Sequence, residues 1–333
     1  MKITGAISLV VLCIFAISMV IVPQALNAAQ TWQAILGAAT SDQAKQAMSF
    51  LPNELWIHAG DSVSWTSDTH EGHTVTFLTP VQPRPPFPVG CPGTTPSGSP
   101  YTGANCVNSG PIVGTYTVTF PNAGNFKLVC LIHQDMTGMV HVLNLSETLP
   151  HNQAFYDGQA ALEARNLISD ADHITDDEHT GSSTRFANSK NSVITTGETV
   201  ATGGGKAFLA VMRFLPEIIR VHVGETVEWT NIHPSEPHTV TFGTEPPNPF
   251  ILVGVAPDPD GAFHGTLPNT GNSINSGLIG PTPQEIVGLP EWTPMPNSGI
   301  TRVRVTFTQA GTYDYICALH DELGMKGKVI VER

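Results

Sequence analysis

Two cysteines sit in the same company. Cys130-Leu131-Ile132-His133 is followed by Met136, and Cys317-Ala318-Leu319-His320 is followed by Met325. Upstream of each stands a histidine in a repeated phrase, His73-Thr74-Val75-Thr76-Phe77 and His238-Thr239-Val240-Thr241-Phe242. One thiolate, two imidazoles and a weak thioether are the donors of a type 1 copper site. A lone Cys-x-x-His would say little. Two complete sets in the same order say more: His73, Cys130, His133 and Met136, then His238, Cys317, His320 and Met325. Thiolate sulfur is a soft donor, imidazole suits both oxidation states of copper, and a distant methionine sulfur helps set the potential. Three donors come from one tight loop and the fourth from a strand across the site. Such a site is placed in advance and closed to substrate, which favours electron transfer over catalysis.

Other residues compete for these roles. His70 lies near His73, but only His73 directly precedes Thr-Val-Thr-Phe, as His238 does; His233 fails for the same reason. Met139 is a rival of Met136 and is expected to pack at the start of the last strand. His58 and His222 flank apolar strand positions and are expected to face away from the core. His173 and His179 sit in an acidic stretch and read as solvated. There is no His-x-His pair, and neither ligand cysteine has a histidine directly beside it. Those features would wire a type 1 copper to a catalytic one. The reading is therefore an electron carrier and not an enzyme. A copper oxidoreductase of the multicopper oxidase or nitrite reductase kind is the first rival, and copper delivery or storage the second. Only 8 methionines occur, so no methionine-rich tract supports delivery.

The elements that must position these donors come as an internal repeat. Met48 through Trp65 aligns without gaps to Met212 through Trp229. Asn108-Ser109-Gly110 recurs as Asn275-Ser276-Gly277, and Tyr116 to Phe120 recurs as Val303 to Phe307. Apolar residues fall at alternate positions in these segments, the period of a half-buried strand. Gly60-Asp61 and Gly224-Glu225 mark turns. With 31 Gly and 27 Pro, the composition suits an all-β protein with many turns. Trp65 and Trp229 are expected in the sandwich cores. Between the repeats, Asn152 to Asp170 has a helical pattern of good helix formers, expected to pack on one sandwich. A polar run follows to Gly205. The proline-rich stretches Pro80 to Pro100 and Pro246 to Pro259 read as surface excursions. The expected domains are residues 1–29 as a targeting segment, 30–147 and 204–333 as sandwiches, and 148–203 as helix plus linker.

The start of the chain, Lys2 followed by an apolar run from Ile7 to Val22, reads as a signal peptide cleaved near Ala28. An uncleaved N-terminal membrane anchor is the alternative. Either places the protein outside the cytoplasm: periplasmic, extracellular or on the outer face of the membrane. Cys13 lies in that segment. Cys91 and Cys106 remain, in one Gly/Pro-rich loop, and are expected to form a disulfide in an exported protein. The formal net charge of −13 argues against nucleic acid and favours cationic protein partners.

The ligand phrases resemble those of the cupredoxins, the plastocyanin and amicyanin branch in particular. Pro237 to Phe242 looks like the family's first-histidine strand. Cys317, His320 and Met325 followed by Lys326-Gly327-Lys328-Val329 are similar to a plastocyanin ligand loop; Cys130, His133 and Met136 are similar to the shorter amicyanin loop. The resemblance covers about Met48 to Val142 and Phe208 to Val331. It implies two tandem Greek-key sandwiches joined by a helix-containing linker, a type 1 copper in each, and one-electron transfer. The partners it implies are redox proteins such as cytochromes or membrane-bound electron-transfer complexes. The fused pair departs from the family's usual single domain.

Overall fold

The computed structural model describes residues 28–67, 69–85, 91, 93–112, 114–133, 135–169, 199–201, 205–231, 236–280 and 300–333. Residues 1–27, on which the signal-peptide expectation falls, Cys13 among them, and His173, His179, His233 and most of the linker lie outside the described residues.

Alternating apolar side chains set the architecture. Along Arg302–Phe307, Val303, Val305 and Phe307 are buried while their neighbours are not. One face therefore meets a core and the other meets water. Such strands assemble into two sandwiches. In the first, Lys45–Leu51, Thr31–Ala39, Ser62–Ser67 and Thr115–Thr119 form one layer in that spatial order. Glu54–His58, Thr137–Leu143, Gly124–Val129, Thr76–Phe77 and Val107–Asn108 form the other. Trp32, Trp65, Phe77, Phe120 and Val140 fill the space between them. In the second, Thr226–Thr230, Arg302–Phe307, Phe263–Leu267 and Val255–Pro257 face a five-stranded layer running from Ile218–His222 to Ile274–Asn275. Trp229, Phe242, Phe307 and Tyr315 are packed there. Gly60 and Gly224 turn the chain with φ of 97° and 91°, a left-handed conformation that favours glycine.

The helix spans Gln153–Ser169. The Asn152 side chain caps it by accepting from the Phe155 N–H at 3.0 Å. Tyr156, Ala160 and Leu167 are its buried residues, and it lies on the first sandwich. The Tyr156 hydroxyl donates to the Trp56 carbonyl and accepts from the Trp56 N–H, both at 3.0 Å. Those two bonds pin the helix to an edge strand.

The halves are joined by strand pairing. Lys206–Val211, at the start of the second repeat, runs antiparallel to Lys45–Leu51 and extends the first sandwich's layer. Phe208, Ala210 and Met212 consequently belong to the first core. Leu323, from the second ligand loop, packs there too. Arg213 reaches across, donating to the Leu323 carbonyl at 2.8 Å and to the Asp42 carbonyl at 2.7 Å. The sequence repeat and the packed unit thus divide at different residues.

Two local expectations change. His58 is buried, because the segment after Leu143 folds over it and brings the Glu147 carbonyl to 2.8 Å from its Nε2. The excursion from Pro246 ends in a strand, Val255–Pro257, paired with Phe263–Leu267. Asp258 and Asp260 beside it hold Arg304, together with Glu228.

Candidate metal centres

Each site hangs on a strand that ends in its first histidine phrase. His73 is fixed by backbone pairing with Ile112, and His238 by pairing with Ile279. A relay of hydroxyls then locks the ligand loop. In the first half the Leu131 N–H donates to Thr74 Oγ1 at 2.7 Å, Thr74 contacts Thr76 at 3.1 Å, and Thr76 donates to Asn108 Oδ1 at 2.9 Å. The second half repeats this through Ala318, Thr239, Thr241 and Asn275 at 2.7, 3.0 and 2.7 Å. The serine of each Asn-Ser-Gly phrase adds a bond, accepting from the Val75 and Val240 N–H groups at 2.8 Å. The recurring Thr-x-Thr and Asn-Ser-Gly phrases are therefore one device. They hold the residue after each cysteine in place.

The result is a tight cluster in each half. His73 Nδ1 lies 3.1 Å from His133 Nδ1, which lies 3.6 Å from Cys130 Sγ. His238 Nδ1 lies 3.1 Å from His320 Nδ1, and Cys317 Sγ is 3.7 and 3.5 Å from these two nitrogens. Donors bound to one ion at about 2.0–2.3 Å leave gaps of this size between themselves. All six side chains are buried. Met136 and Met325 are fully buried, and their carbonyls accept from the Cys130 and Cys317 N–H groups at 3.0 Å. Met139, by contrast, is only partly buried in its strand, and His70 is exposed. Cys91 and Cys106 are joined by a disulfide.

The electrostatics suit a metal-binding thiolate. Burial pushes the Cys130 thiol up, but the charge and hydrogen bond of His133 and the hydrogen bond of His73 bring it well below its ordinary value. Cys317 is lowered in the same way, against its own burial, by His320 and by the Thr239 N–H. That N–H reaches the sulfur at 3.4 Å; the Thr74 N–H does so at 3.3 Å in the first site. His133 is lowered by burial yet ends raised to about 10, through Cys130 first and then Glu71 and Glu236.

Those last two residues were not singled out in the sequence. Glu71 and Glu236 stand between His133 and His320, with carboxylate oxygens 3.3–3.7 Å from the imidazole Nε2 atoms. Burial raises the Glu71 carboxyl, but the imidazoles of His133, first, and His320 beside it bring it down to about 2. A signal for them existed. Each glutamate stands two residues before the first histidine of its set.

A family comparison falls on residues of both sites. The family model described as copper binding proteins, plastocyanin/azurin family, matches residues 38–145 and 288–332. These ranges contain both cysteine loops. Among solved structures, amicyanin from Paracoccus versutus is 21% identical over 34% of this chain and 81% of its own, with a TM-score of 0.23. A Cu(I) form of an amicyanin methionine variant is 19% identical over 34% of this chain and 82% of its own, with a TM-score of 0.24. No curated protein matches the chain. With the family's pattern in both halves, residues 38–145 and 288–332 match the copper-binding plastocyanin/azurin family, and the chain carries two cupredoxin-like domains in tandem.

Proposed function

We propose that this protein is an exported blue copper protein with two type 1 sites, passing single electrons between redox proteins. The observation that carries the reading is the paired convergence of two Nδ1 atoms and one Sγ, buried and of matching dimensions, in both halves. His73, Cys130, His133 and Met136 would hold one copper; His238, Cys317, His320 and Met325 would hold the other. Bound copper supplies a one-electron couple, tuned by the thiolate and the weak axial sulfur.

The protein's own part is to keep the donors still. The hydroxyl relays fix the cysteine loops, the backbone pairs fix His73 and His238, and the N–H groups of Thr74 and Thr239 hold the sulfur as thiolate. Burial keeps water away from the donors. A site that does not rearrange between oxidation states wastes little energy on reorganisation. The acidic surface suits cationic partners such as cytochromes or membrane-bound electron-transfer complexes.

The test is a copper titration followed by visible absorption and paramagnetic resonance. Two coppers per chain with an intense blue band are expected. Cys130→Ser and Cys317→Ser should each abolish one of the two. A colourless copper-loaded protein overturns the reading.

A further inference from the structure

The packing of the halves turns the two sites toward each other. His133 and His320 give their Nδ1 atoms to separate ligand sets, and their Nε2 atoms point into the seam between the sandwiches. Glu71 places Oε1 3.6 Å from His133 Nε2 and Oε2 3.7 Å from His320 Nε2. Glu236 places Oε2 3.6 Å from His133 Nε2 and Oε1 3.3 Å from His320 Nε2. Each carboxylate therefore meets both imidazoles, one oxygen to each. Each imidazole meets one carboxylate from its own repeat and one from the other.

This seam is closed. The side chains of His133, Glu236, His320 and Glu71 are 1%, 3%, 6% and 13% exposed. Among the described residues no lysine or arginine forms an ion pair with either carboxylate. His133 Nε2 and Glu236 Oε2 are buried, make no hydrogen bond and lie 3.6 Å apart, so groups on both sides aim into the gap. An imidazole that binds metal through Nδ1 keeps its proton on Nε2 and characteristically gives it to a carboxylate. Here two such imidazoles share the same pair of carboxylates.

Building on the copper reading above, we infer that Glu71 and Glu236 form a shared bridge that makes the two ligand sets one redox unit, setting the potential of each from both repeats and carrying electron exchange between them. The exchange is balanced within the chain. One electron leaves one Cys-His-His set and enters the other; the first is oxidised by one and the second reduced by one. No bond forms or breaks, and the Nε2 protons stay where they are. Two negative charges in a water-poor seam favour the more positive, oxidised form at both sites. Removing one charge should raise both potentials.

The decisive variant is Glu236→Gln in the Cys317→Ser protein, which keeps only the His73, Cys130 and His133 set. Glu236 belongs to the other repeat and is no ligand of that set. The midpoint potential of the remaining blue site should rise relative to Cys317→Ser alone, with the blue band retained. Glu71→Gln in Cys130→Ser should raise the second set's potential likewise. In the copper-loaded wild type, fast one-electron reduction should be followed by redistribution between the sites at a rate independent of protein concentration. The Glu71→Gln/Glu236→Gln double variant should slow it about 10-fold or more. An unmoved potential beneath an intact blue band overturns the bridge alone. So does metal analysis showing a third ion that the double variant loses, since a cation would then occupy the gap. Absence of a blue band in the wild type overturns the copper reading and this inference with it.

Discussion

Gln46 stands directly opposite Ala210 in the strand pair that joins the halves, and the two residues occupy the same position of the two repeats. Ala47 faces Leu209 and Lys45 faces Val211, so the pairing is unchanged when the repeats are exchanged. The halves meet about an internal two-fold centred at that pair. Glu71 and Glu236 obey the same relation, each reaching the histidines of both halves.

Phe208 enters the first core from the second repeat, is 1% exposed, and has its ring 6.1 Å from that of His133. Phe208→Ala should cost about 3–5 kcal/mol, as buried aromatic truncations do. It should also alter the spectrum of the first site, although the residue lies in the second repeat. Denaturant unfolding and the visible spectrum of copper-loaded protein measure the two effects.

The hydroxyl relays can be cut one site at a time. Thr74→Val removes the acceptor of the Leu131 N–H, leaving a buried donor unsatisfied at about 1–3 kcal/mol. The first site's spectrum should change and the second's should not. Thr239→Val should do the reverse. Paramagnetic resonance, which separates the two signals, reports the selectivity.

Gly37 lies against the first histidine. Its φ is +68°, and a Cβ there would sit 2.8 Å from His73 Nε2. Gly37→Ala should destabilise by more than about 1 kcal/mol, since alanine is unfavourable at positive φ. It should also push His73 and weaken copper binding at that site only. Competition with a chelator measures the affinity of each site.

The metal-free protein should have a defined stability profile. Cys130 is depressed from 9.0, so its contribution is complete above 9.0 and is lost as pH falls through its folded value. His133 is raised from 6.5 to about 10, so its contribution is complete below 6.5 and is lost as pH rises through about 10. The two dependences have opposite sign, so the pair should favour folding most at intermediate pH, with stability falling on the acid side as Cys130 is protonated and on the alkaline side as His133 is neutralised. Cys130→Ser should remove the acid-side fall. Urea unfolding of copper-free protein across pH checks both.

Much of this could be seen in the residues. The strand alternation at Val303 to Phe307, the turns at Gly60 and Gly224, and the donors gathered around Cys130 and Cys317 all follow from local pattern. What stayed hidden depended on contacts between distant segments. His58 reads as outward-facing until the segment reaching Glu147 covers it. Lys206–Val211 reads as the second sandwich's first strand, because nothing local says which sheet edge it will join. Glu71 and Glu236 read as ordinary acidic loop residues, since neither has a partner until the halves close. Asn108 and Asn275 were visible as repeats, but only the folded relay gives them a task.

An antiparallel pair between equivalent positions is how two separate copies of a chain would dimerise. Here both copies are one polypeptide, so the partner is always at hand and closure is a unimolecular event. Dilution, which dissociates a true dimer, should leave this contact intact. The spacing of the two ligand sets then becomes a fixed property of the molecule, independent of how many others surround it.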